Sequence, residues 1–268
     1  MALACSTGSF QTPIDEALHE VSKLGFAYVD LICIPVFNQI MPAELAADPD
    51  GYAGTIAQMV EASGLTPVAV NTAFGNLYQR EDPALNRQRL EEVRAVVRLM
   101  NRLGVQVASF YPGSAGPARE RDWERVLADE VDTLYEIRAI ASQAGVTFAV
   151  ELHAQTPFET VTQSRRLLAA MPELQVAYDA SHFVMQGIPL TATEFALERA
   201  AHVHLRDAAP GKMQVPYGQG TVDFDWILSA LAERGYPGHM AVEYLPARDY
   251  DVREQILKTK ERVAAQWR

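Results

Sequence analysis

The sequence of 268 residues predicts an α/β protein, a single (β/α)8 TIM barrel with its active site at the C-terminal face of the strands. Three observations predict this fold. Helix-like stretches end repeatedly in a glycine, eight apolar strand-like runs alternate with these stretches, and no linker divides residues 1–268 into two domains. Such alternation is typical of parallel strands. A doubly wound open sheet is the alternative, but no Gly-x-Gly-x-x-Gly motif follows the first strand.

A glycine repeat marks the expected junctions between helices and strands. Gly25, Gly64, Gly104 and Gly145 are spaced by 39, 40 and 41 residues, and Gly235 follows after a further 90. Glycine suits the left-handed position that ends a helix, and the apolar run that comes next is typical of a buried parallel strand. The predicted strands are residues 2–7, 27–34, 66–74, 105–111, 146–153, 174–181, 201–207 and 239–245.

Between the strands, apolar residues recur at the spacing of a helix that packs one face on a sheet. The clearest examples are residues 82–102, with Leu90, Val93, Val97 and Met100, and residues 123–143, with Val131, Leu134 and Ile137. These segments are predicted to form long outer helices.

Composition restricts the partners and the compartment. With 23 basic and 34 acidic residues the formal charge is −11, which opposes binding to nucleic acid or to an anionic membrane surface. No run approaches the roughly 20 apolar residues of a membrane helix. Leu3-Ala4-Cys5 resembles the end of a lipoprotein signal, but only four residues precede Cys5. Because the only other cysteine is Cys33, we expect a reduced, cytoplasmic protein.

Ionisable residues stand at the ends of four consecutive predicted strands. They are Glu151 and His153, Asp179 and His182, His204 and Arg206, and Glu243. Alternation along the strands points the carboxylates and His204 into the barrel. Three anions at close range repel one another unless a cation lies among them. Glu151, Asp179, His204 and Glu243 are therefore predicted to bind one divalent metal. The ligand types suit Mn²⁺, Mg²⁺, Co²⁺ and Fe²⁺ alike, and Mn²⁺ is the metal we expect first.

Five short motifs carry a family resemblance. They are VELH at 150–153, DASH at 179–182, HVHLRD at 202–207, GQGTVDF at 218–224 and GYPG at 235–238. On these motifs the chain resembles the xylose isomerase-like superfamily of sugar isomerases and epimerases, most closely the ketose 3-epimerases, over nearly its whole length.

The resemblance implies roles for individual residues. Glu151 and Glu243 would bind the metal and also exchange the proton through a metal-stabilised cis-enediolate, while His182 and Arg206 would contact substrate oxygens. His153 is a further candidate for the substrate site. Some relatives carry a lysine where this chain has Arg206. Lys212, in the following loop, is therefore a candidate cation for the substrate, including a phosphate on it. The expected partner is a sugar or polyol, and a homodimer or homotetramer is expected.

Other activities stay open on the same scaffold. Metal-dependent dehydration is the main alternative, because the base would again remove an α-proton before a β-hydroxyl leaves, as in dehydroshikimate dehydratase-like relatives. A non-catalytic barrel subunit is disfavoured by the complete set of four ligands. A DNA repair enzyme like endonuclease IV is disfavoured by the net charge. The third strand also ends in Asn71-Thr72 and the fourth in residues 109–111, without the extra histidines such enzymes need.

Several polar residues near the motifs are predicted to be structural. His202 lies one layer deeper than His204 and is expected to be a hydrogen-bonded core residue. Asp30 and His239 are expected to be structural, and Asp207 to anchor Arg206 or a loop. Aromatic residues near strand ends are predicted to wall the pocket: Phe37, Phe74, Tyr111 and Phe158.

Overall fold

In a computed structural model that describes residues 2–266, eight parallel strands close into a barrel in the order of the sequence, with β8 pairing β1. The predicted single-domain span, 1–268, extends beyond the described residues at both ends. The strands are β1 Leu3–Ser6, β2 Tyr28–Cys33, β3 Thr66–Ala73, β4 Val107–Tyr111, β5 Thr147–Glu151, β6 Gln175–Asp179, β7 Ala200–Leu205 and β8 His239–Val242. The predicted (β/α)8 TIM barrel is confirmed.

Helices follow the strands around the outside of the barrel. They are α1 Ile14–Lys23, α2 Pro42–Ala47, α3 Gly51–Ser63, α4 Pro83–Leu103, α5 Ala115–Ala118, α6 Trp123–Gln143, α7 Val161–Ala170, α8 Ala180–Val184, α9 Glu194–Leu197, α10 Phe224–Glu233 and α11 Val252–Gln266. Short 3₁₀ turns lie at Thr7–Ser9, Pro35–Phe37 and Leu190–Thr193. The two long helices expected from apolar periodicity correspond to α4 and α6.

Local side-chain chemistry explains where these elements begin and end. Asp82 precedes α4, and its Oδ1 accepts a hydrogen bond from the Ala84 amide at 2.8 Å, which satisfies one of the free donors of the first turn. At the other end, Gly104 has a φ of 70°, and the Val105 amide donates to the Met100 carbonyl at 2.9 Å. This is the left-handed helix ending that the glycine repeat predicts.

The prediction for β6 was wrong at its carboxyl end, and the predictions 146–153, 201–207 and 239–245 also run two or three residues beyond the ends of β5, β7 and β8. Residues 174–181 were expected to be extended, but β6 stops at Asp179. The Asp179 carboxylate caps α8 by accepting a hydrogen bond from the Ser181 amide at 2.8 Å. Ser181 and His182 consequently lie in a helical turn rather than in the strand. Their side chains therefore do not alternate between the two faces of the sheet, as strand residues do.

The side chains of the barrel are apolar along most of its axis and become polar at the carboxyl ends of the strands. Small apolar side chains, Ala2, Ala4, Val68 and Ala241, form a buried cluster inside the strands. Larger side chains on the alternate positions, such as Leu31, Val150 and Val203, are fully buried in the main core. The carboxyl ends of the strands carry the polar groups. Among residues 2–266, no helix is long and apolar enough to cross a membrane.

Candidate metal centre

Four side chains converge at the carboxyl ends of neighbouring strands. Glu151 ends β5, Asp179 ends β6, His204 lies one residue before the end of β7, and Glu243 follows β8. Asp179 and His204 are partners in the register of β6 and β7, which places them side by side. One ligand atom from each of the four lies within 4.8 Å of the others, and all four residues are buried. The structure therefore brings together the four residues that the sequence selects.

Charges in this cluster are unevenly balanced. His204 Nδ1 lies 3.0 Å from Glu151 Oε1 and 3.4 Å from Glu243 Oε2. Arg206 Nη2 donates to Asp179 Oδ2 at 2.5 Å, and its Nη1 lies 3.7 Å from Glu243 Oε2. One guanidinium faces three buried carboxylates, and buried anions are costly without compensating charge. Three carboxylates and one imidazole form a donor set that suits a hard divalent cation.

His204 is oriented by a residue from the far side of the barrel. Asp30 Oδ2 lies 3.1 Å from His204 Nε2 and 2.9 Å from His202 Nε2. With Nε2 donating to Asp30, Nδ1 faces Glu151 and Glu243. Although burial lowers the pKa of His204, the Glu243 charge and the hydrogen bonds with Asp30 and Glu151 raise this pKa well above its usual value. Asp30 and His202 are thus buried structural partners, as predicted.

The two glutamates experience opposite environments. Burial raises the pKa of both carboxyls, but the hydrogen bond from His204 and the charges of His204, His153 and Arg206 bring the pKa of Glu151 below its ordinary value. Burial prevails at Glu243, and repulsion from Glu151 and Asp179 adds to it, so the Glu243 pKa is raised. Carboxyls whose pKa values are pushed apart are typical of general acid/base pairs.

Asn71 is a site residue that the sequence reasoning missed. Its Nδ2 donates to Glu243 Oε1 at 2.8 Å, and the side chain is buried. In the sequence, Asn71 stands out only as part of a strand end that lacks histidine. The available signal was an amide following the apolar run Val68-Ala69-Val70, because an amide at such a position needs a buried partner.

Of the predicted substrate residues, His182 and Arg206 are buried next to the carboxylates. His182 Nε2 lies 3.0 Å from Arg206 Nη2 and 3.4 Å from Asp179 Oδ2. Burial, together with nearby cationic groups, lowers the pKa of His182 well below its usual value, so that a neutral ring accepts from Arg206. The His153 ring contacts that of His182 with centroids 3.6 Å apart and planes tilted by 38°.

Lys212, the predicted cation for the substrate, is not brought to this cluster. It is exposed in a tight turn, where its amide and carbonyl both pair with the backbone of Ala209. The loop is fixed by Asp207, whose Oδ2 accepts from the amides of Gly218 and Gly220 at 2.8 and 3.0 Å. The expected role of Asp207 as a loop anchor agrees with these contacts.

A cavity of about 250 Å³ opens above the cluster. Its lining is Ile32, Ile34, Val36, Phe37, Asn71, Ala73, Tyr111, Glu151, His153, Arg206, Glu243 and Leu245. Phe37 and Tyr111 wall the cavity as predicted. The prediction was wrong for Phe74 and Phe158, because both rings turn into the core, where Phe74 contacts Phe148 and Phe158 contacts Trp123.

His239 lies away from this site. It begins β8 at the amino end of the strands, where its Nδ1 accepts a hydrogen bond from the Ala2 amide at 3.2 Å. This contact ties the first described residue to the last strand, as expected of a structural histidine.

Comparison with known proteins gives a family. A family model described as "Xylose isomerase-like TIM barrel" matches residues 18–263. This range includes every residue of the cluster, and the family is the one that the motifs predict.

Two curated relatives illustrate the activities among similar proteins. L-Ribulose-5-phosphate 3-epimerase UlaE of Escherichia coli (strain SMS-3-5 / SECEC) is 22% identical over 264 residues, which are 93% of this chain and 88% of the relative. Inosose dehydratase of Bacillus anthracis (strain CDC 684 / NRRL 3495) is 27% identical over 146 residues, 46% of this chain and 47% of the relative.

Solved structures share the fold. A D-tagatose 3-epimerase-like protein superposes with a TM-score of 0.80 at 18% identity, covering 99% of this chain and 97% of that one. The IOLI protein, whose crystal structure contains a bound zinc atom, gives a TM-score of 0.74 at 22% identity over 98% of this chain and 97% of that one.

Proposed function

Since the chain belongs to the xylose isomerase-like TIM barrel family, we propose that it is a divalent-metal-dependent epimerase or isomerase of a keto-sugar or keto-polyol. One observation carries the proposal: ligand atoms of Glu151, Asp179, His204 and Glu243 lie within 4.8 Å of one another, and two of these residues, Glu151 and Glu243, line a cavity. The similar L-ribulose-5-phosphate 3-epimerase and the D-tagatose 3-epimerase-like fold support the same reaction class.

The donor set fits a single divalent cation. Three buried carboxylates exceed the one guanidinium beside them, and His204 presents Nδ1 to the cluster because Asp30 engages Nε2. A divalent cation held by these four residues would stabilise the negative charge that develops on the substrate oxygens. The bound zinc of the IOLI structure supports a divalent metal, and Mn²⁺ is the metal we would supply first.

Glu151 and Glu243 are the proposed proton-transfer pair. In the ring of strands, β5 and β8 are separated by two strands on one side and four on the other, so the carboxylates approach the cavity from different directions. One glutamate removes the proton next to the carbonyl, and the other returns a proton to the opposite face, which inverts that carbon. Asn71 holds Glu243 Oε1 and leaves Oε2 directed at the cluster.

Arg206, His182 and His153 are the proposed substrate-binding groups. Arg206 and His153 line the cavity, and His182 supports both by accepting from Arg206 and contacting the ring of His153. Arg206 and His153 thus supply a guanidinium and an imidazole in the wall of the cavity, where such groups would stabilise negative charge on substrate oxygens. Lys212 lies outside this set because it is exposed beyond the cavity lining.

Dehydration is the second candidate reaction. The partial match to an inosose dehydratase favours it, and its first step is the same proton removal by a glutamate. The two reactions differ at the next step, because a dehydratase expels the β-hydroxyl instead of reprotonating the carbon. Product mass therefore separates them.

The test is a screen of ketoses and keto-polyols in D₂O with Mn²⁺ or Co²⁺, followed by NMR and mass spectrometry. We expect deuterium at one carbon and a new stereoisomer of otherwise unchanged mass. Loss of one water would support the dehydratase instead. If no metal and no substrate in the screen gave either deuterium exchange or loss of water, both reactions would be contradicted. Light scattering in the same buffers would measure whether the expected homodimer or homotetramer forms.

A further inference from the structure

A second groove adjoins the catalytic cavity at the carboxyl ends of β1, β2 and β8. It has a volume of about 510 Å³. Val36, Phe37 and Leu245 line both the cavity and the groove. The rest of the groove is formed by Gln11, Thr12, Pro13, Asn38 and Pro246. A molecule whose reacting carbons lie at the metal centre can therefore extend over the Val36–Phe37 ridge without leaving the protein surface.

From this continuity we propose that the groove binds the non-reacting end of the substrate, and that this end is an uncharged, largely apolar substituent. The substrate class is then a neutral keto-sugar that carries an apolar group at the end remote from its carbonyl, rather than a sugar phosphate. This inference rests on the proposed function, since it places the reacting carbons at Glu151 and Glu243.

Charge balance argues against a phosphate in the catalytic cavity. Arg206 is the only lysine or arginine among the lining residues, and it lies 2.5 Å from Asp179. Together with a divalent cation it offsets Glu151, Asp179 and Glu243, which leaves no net positive charge. A buried phosphate dianion needs cationic or oriented N–H partners, and this cavity has no cation to spare.

The groove is equally unsuited to an anion. None of its lining side chains is ionisable. Helix α1 begins beside it, after Pro13, and a helix N-terminus attracts anions in general. Here, however, the first turn carries Asp15 and Glu16, whose negative charges oppose a second anion at that end.

Both walls of the groove are held in place. Gln39, which is buried, donates from Nε2 to the carbonyls of Thr7 and Phe10 at 3.0 Å each and so ties the β2 loop to the β1 loop. On the other side, Gln214 Oε1 accepts from the Leu245 amide at 2.6 Å, and its Nε2 donates to the Leu245 carbonyl at 2.9 Å. A groove with anchored walls binds a ligand without first ordering its loops.

The exposed apolar side chains of the Val36–Phe37 ridge indicate that an apolar group would cover it. Val36 is 84% exposed, the highest value among the exposed large apolar side chains of residues 2–266. The cavity alone, at about 250 Å³, is smaller than the roughly 300–1,000 Å³ of common ligand pockets. An apolar substituent laid over Val36 and Phe37 would remove this surface from water, which favours binding.

The experiment compares three substrates that differ only at their far end. These are the ketohexose that exchanges deuterium fastest in the screen, its 6-O-benzyl ether and its 6-phosphate. We expect the benzyl ether to exceed the free sugar in kcat/KM by about tenfold and the phosphate to fall below the free sugar by about tenfold. Calorimetric binding with Mn²⁺ should give the same order. A phosphate preferred over the free sugar, or a benzyl ether that gains nothing, would overturn the inference.

Charge introduced on the ridge gives an independent test. Val36→Lys should cut the advantage of the benzyl ether and raise the relative kcat/KM of the phosphate, each by about tenfold. Leu85→Lys is the matched control, since it changes an exposed leucine of α4 outside both cavities, and it should alter neither ratio. If Val36→Lys matches this control, or changes only the oligomeric state, the groove is not a substrate site.

The outcomes distinguish a failure of this inference from a failure of the proposed epimerase function. Exchange into all three sugars with the phosphate preferred leaves the epimerase proposal standing and overturns the substrate class alone. No exchange into any ketohexose, its benzyl ether or its phosphate, with Mn²⁺ or Co²⁺, counts against the proposed function, and the inference is lost with it.

Discussion

Asp30 and His204 form a hydrogen bond of 3.1 Å between Oδ2 and Nε2, and both side chains are fully buried. The bond connects the middle of β2 with the end of β7, across the barrel interior. His202 shares the same carboxylate oxygen at 2.9 Å. Although burial raises the pKa of Asp30, these two histidines hold it well below its usual value. An ionised Asp30 therefore fixes the ring of His204 so that Nδ1 faces the carboxylates.

Replacing Asp30 should weaken metal binding without removing a ligand. Asp30→Asn keeps the shape of the side chain but loses the charge that orients His204. Partners of this kind commonly contribute about 10–100-fold to metal affinity, so the Mn²⁺ dissociation constant measured by calorimetry should rise by about that factor. Glu16→Gln, an exposed carboxylate on α1, should leave the affinity unchanged. A folded Asp30→Asn protein with wild-type affinity would contradict the orienting role.

The two glutamates should differ according to which epimer is supplied. Glu151→Gln and Glu243→Gln each keep an oxygen ligand but remove one proton-transfer group, so each should slow the reaction by about 10²–10⁴-fold. Each variant should show the largest loss of solvent deuterium exchange with one epimer, namely the epimer from which the replaced glutamate removes the proton in the wild type. Exchange is followed by NMR for both epimers, after circular dichroism has established that the variants are folded. Full exchange in both variants would contradict the assignment.

Asn71 should affect turnover through Glu243. Asn71→Leu retains the volume but removes the N–H that donates to Glu243 Oε1 at 2.8 Å. Hydrogen bonds to charged groups contribute about 1.5–3 kcal/mol, and kcat should fall by about 10–100-fold with a smaller change in KM. The neighbouring Thr72→Val is the control, because its hydroxyl donates to the Cys33 carbonyl rather than to the site. Equal losses of kcat in the two variants would point to general damage of β3.

The sequence predicts the structural features that depend on nearby residues, but it does not predict the contacts between residues far apart in the chain. The ends of α4 and the left-handed Gly104 follow from residues within a few positions of one another, and so do the eight strands. Convergence of Glu151 and Glu243 follows from barrel closure and strand parity. In contrast, the hydrogen bond from Asn71 to Glu243 joins residues 172 positions apart. Only the register of the closed barrel determines that pairing.

Loop residues mark the same limit. Lys212 follows the HVHLRD motif closely enough to suggest a role at the site. However, the Asp207 carboxylate accepts hydrogen bonds from amides of the loop, and in the resulting conformation Lys212 is exposed. Phe74 and Phe158 stand near strand ends yet enter the core, because loop direction rather than strand parity sets where they point. Parity arguments hold only while the chain remains in a strand.

Glu130 is a buried carboxylate that has no ion-pair partner within 4.0 Å among residues 2–266. It lies in α6, is fully buried, and neither oxygen makes a hydrogen bond of good geometry. Burial raises the pKa of Glu130 well above its usual value, and this outweighs the opposing effects of the Arg89 charge and the Tyr78 backbone amide. The folded protein therefore holds a proton on Glu130 more tightly than the unfolded chain does.

This shift makes the contribution of Glu130 to stability depend on pH. The contribution is fully present below the pKa of the unfolded chain, about 4.3, and is lost as the pH rises through the higher pKa of the folded state. Glu130→Gln stays neutral at every pH, so its free energy of unfolding should exceed that of the wild type more at pH 8 than at pH 5, by about 1–3 kcal/mol. Glu136→Gln, on the same helix, is the control. The Glu136 pKa is lowered, against the effect of burial, by hydrogen bonds from Arg80 and Asn86. Its stabilising effect is present above the unfolded pKa, so its replacement should weaken the fold slightly at pH 8.

Urea unfolding at the two pH values measures both differences. A Glu130→Gln effect that is the same at pH 5 and pH 8 would mean that Glu130 is ionised in the folded protein at both.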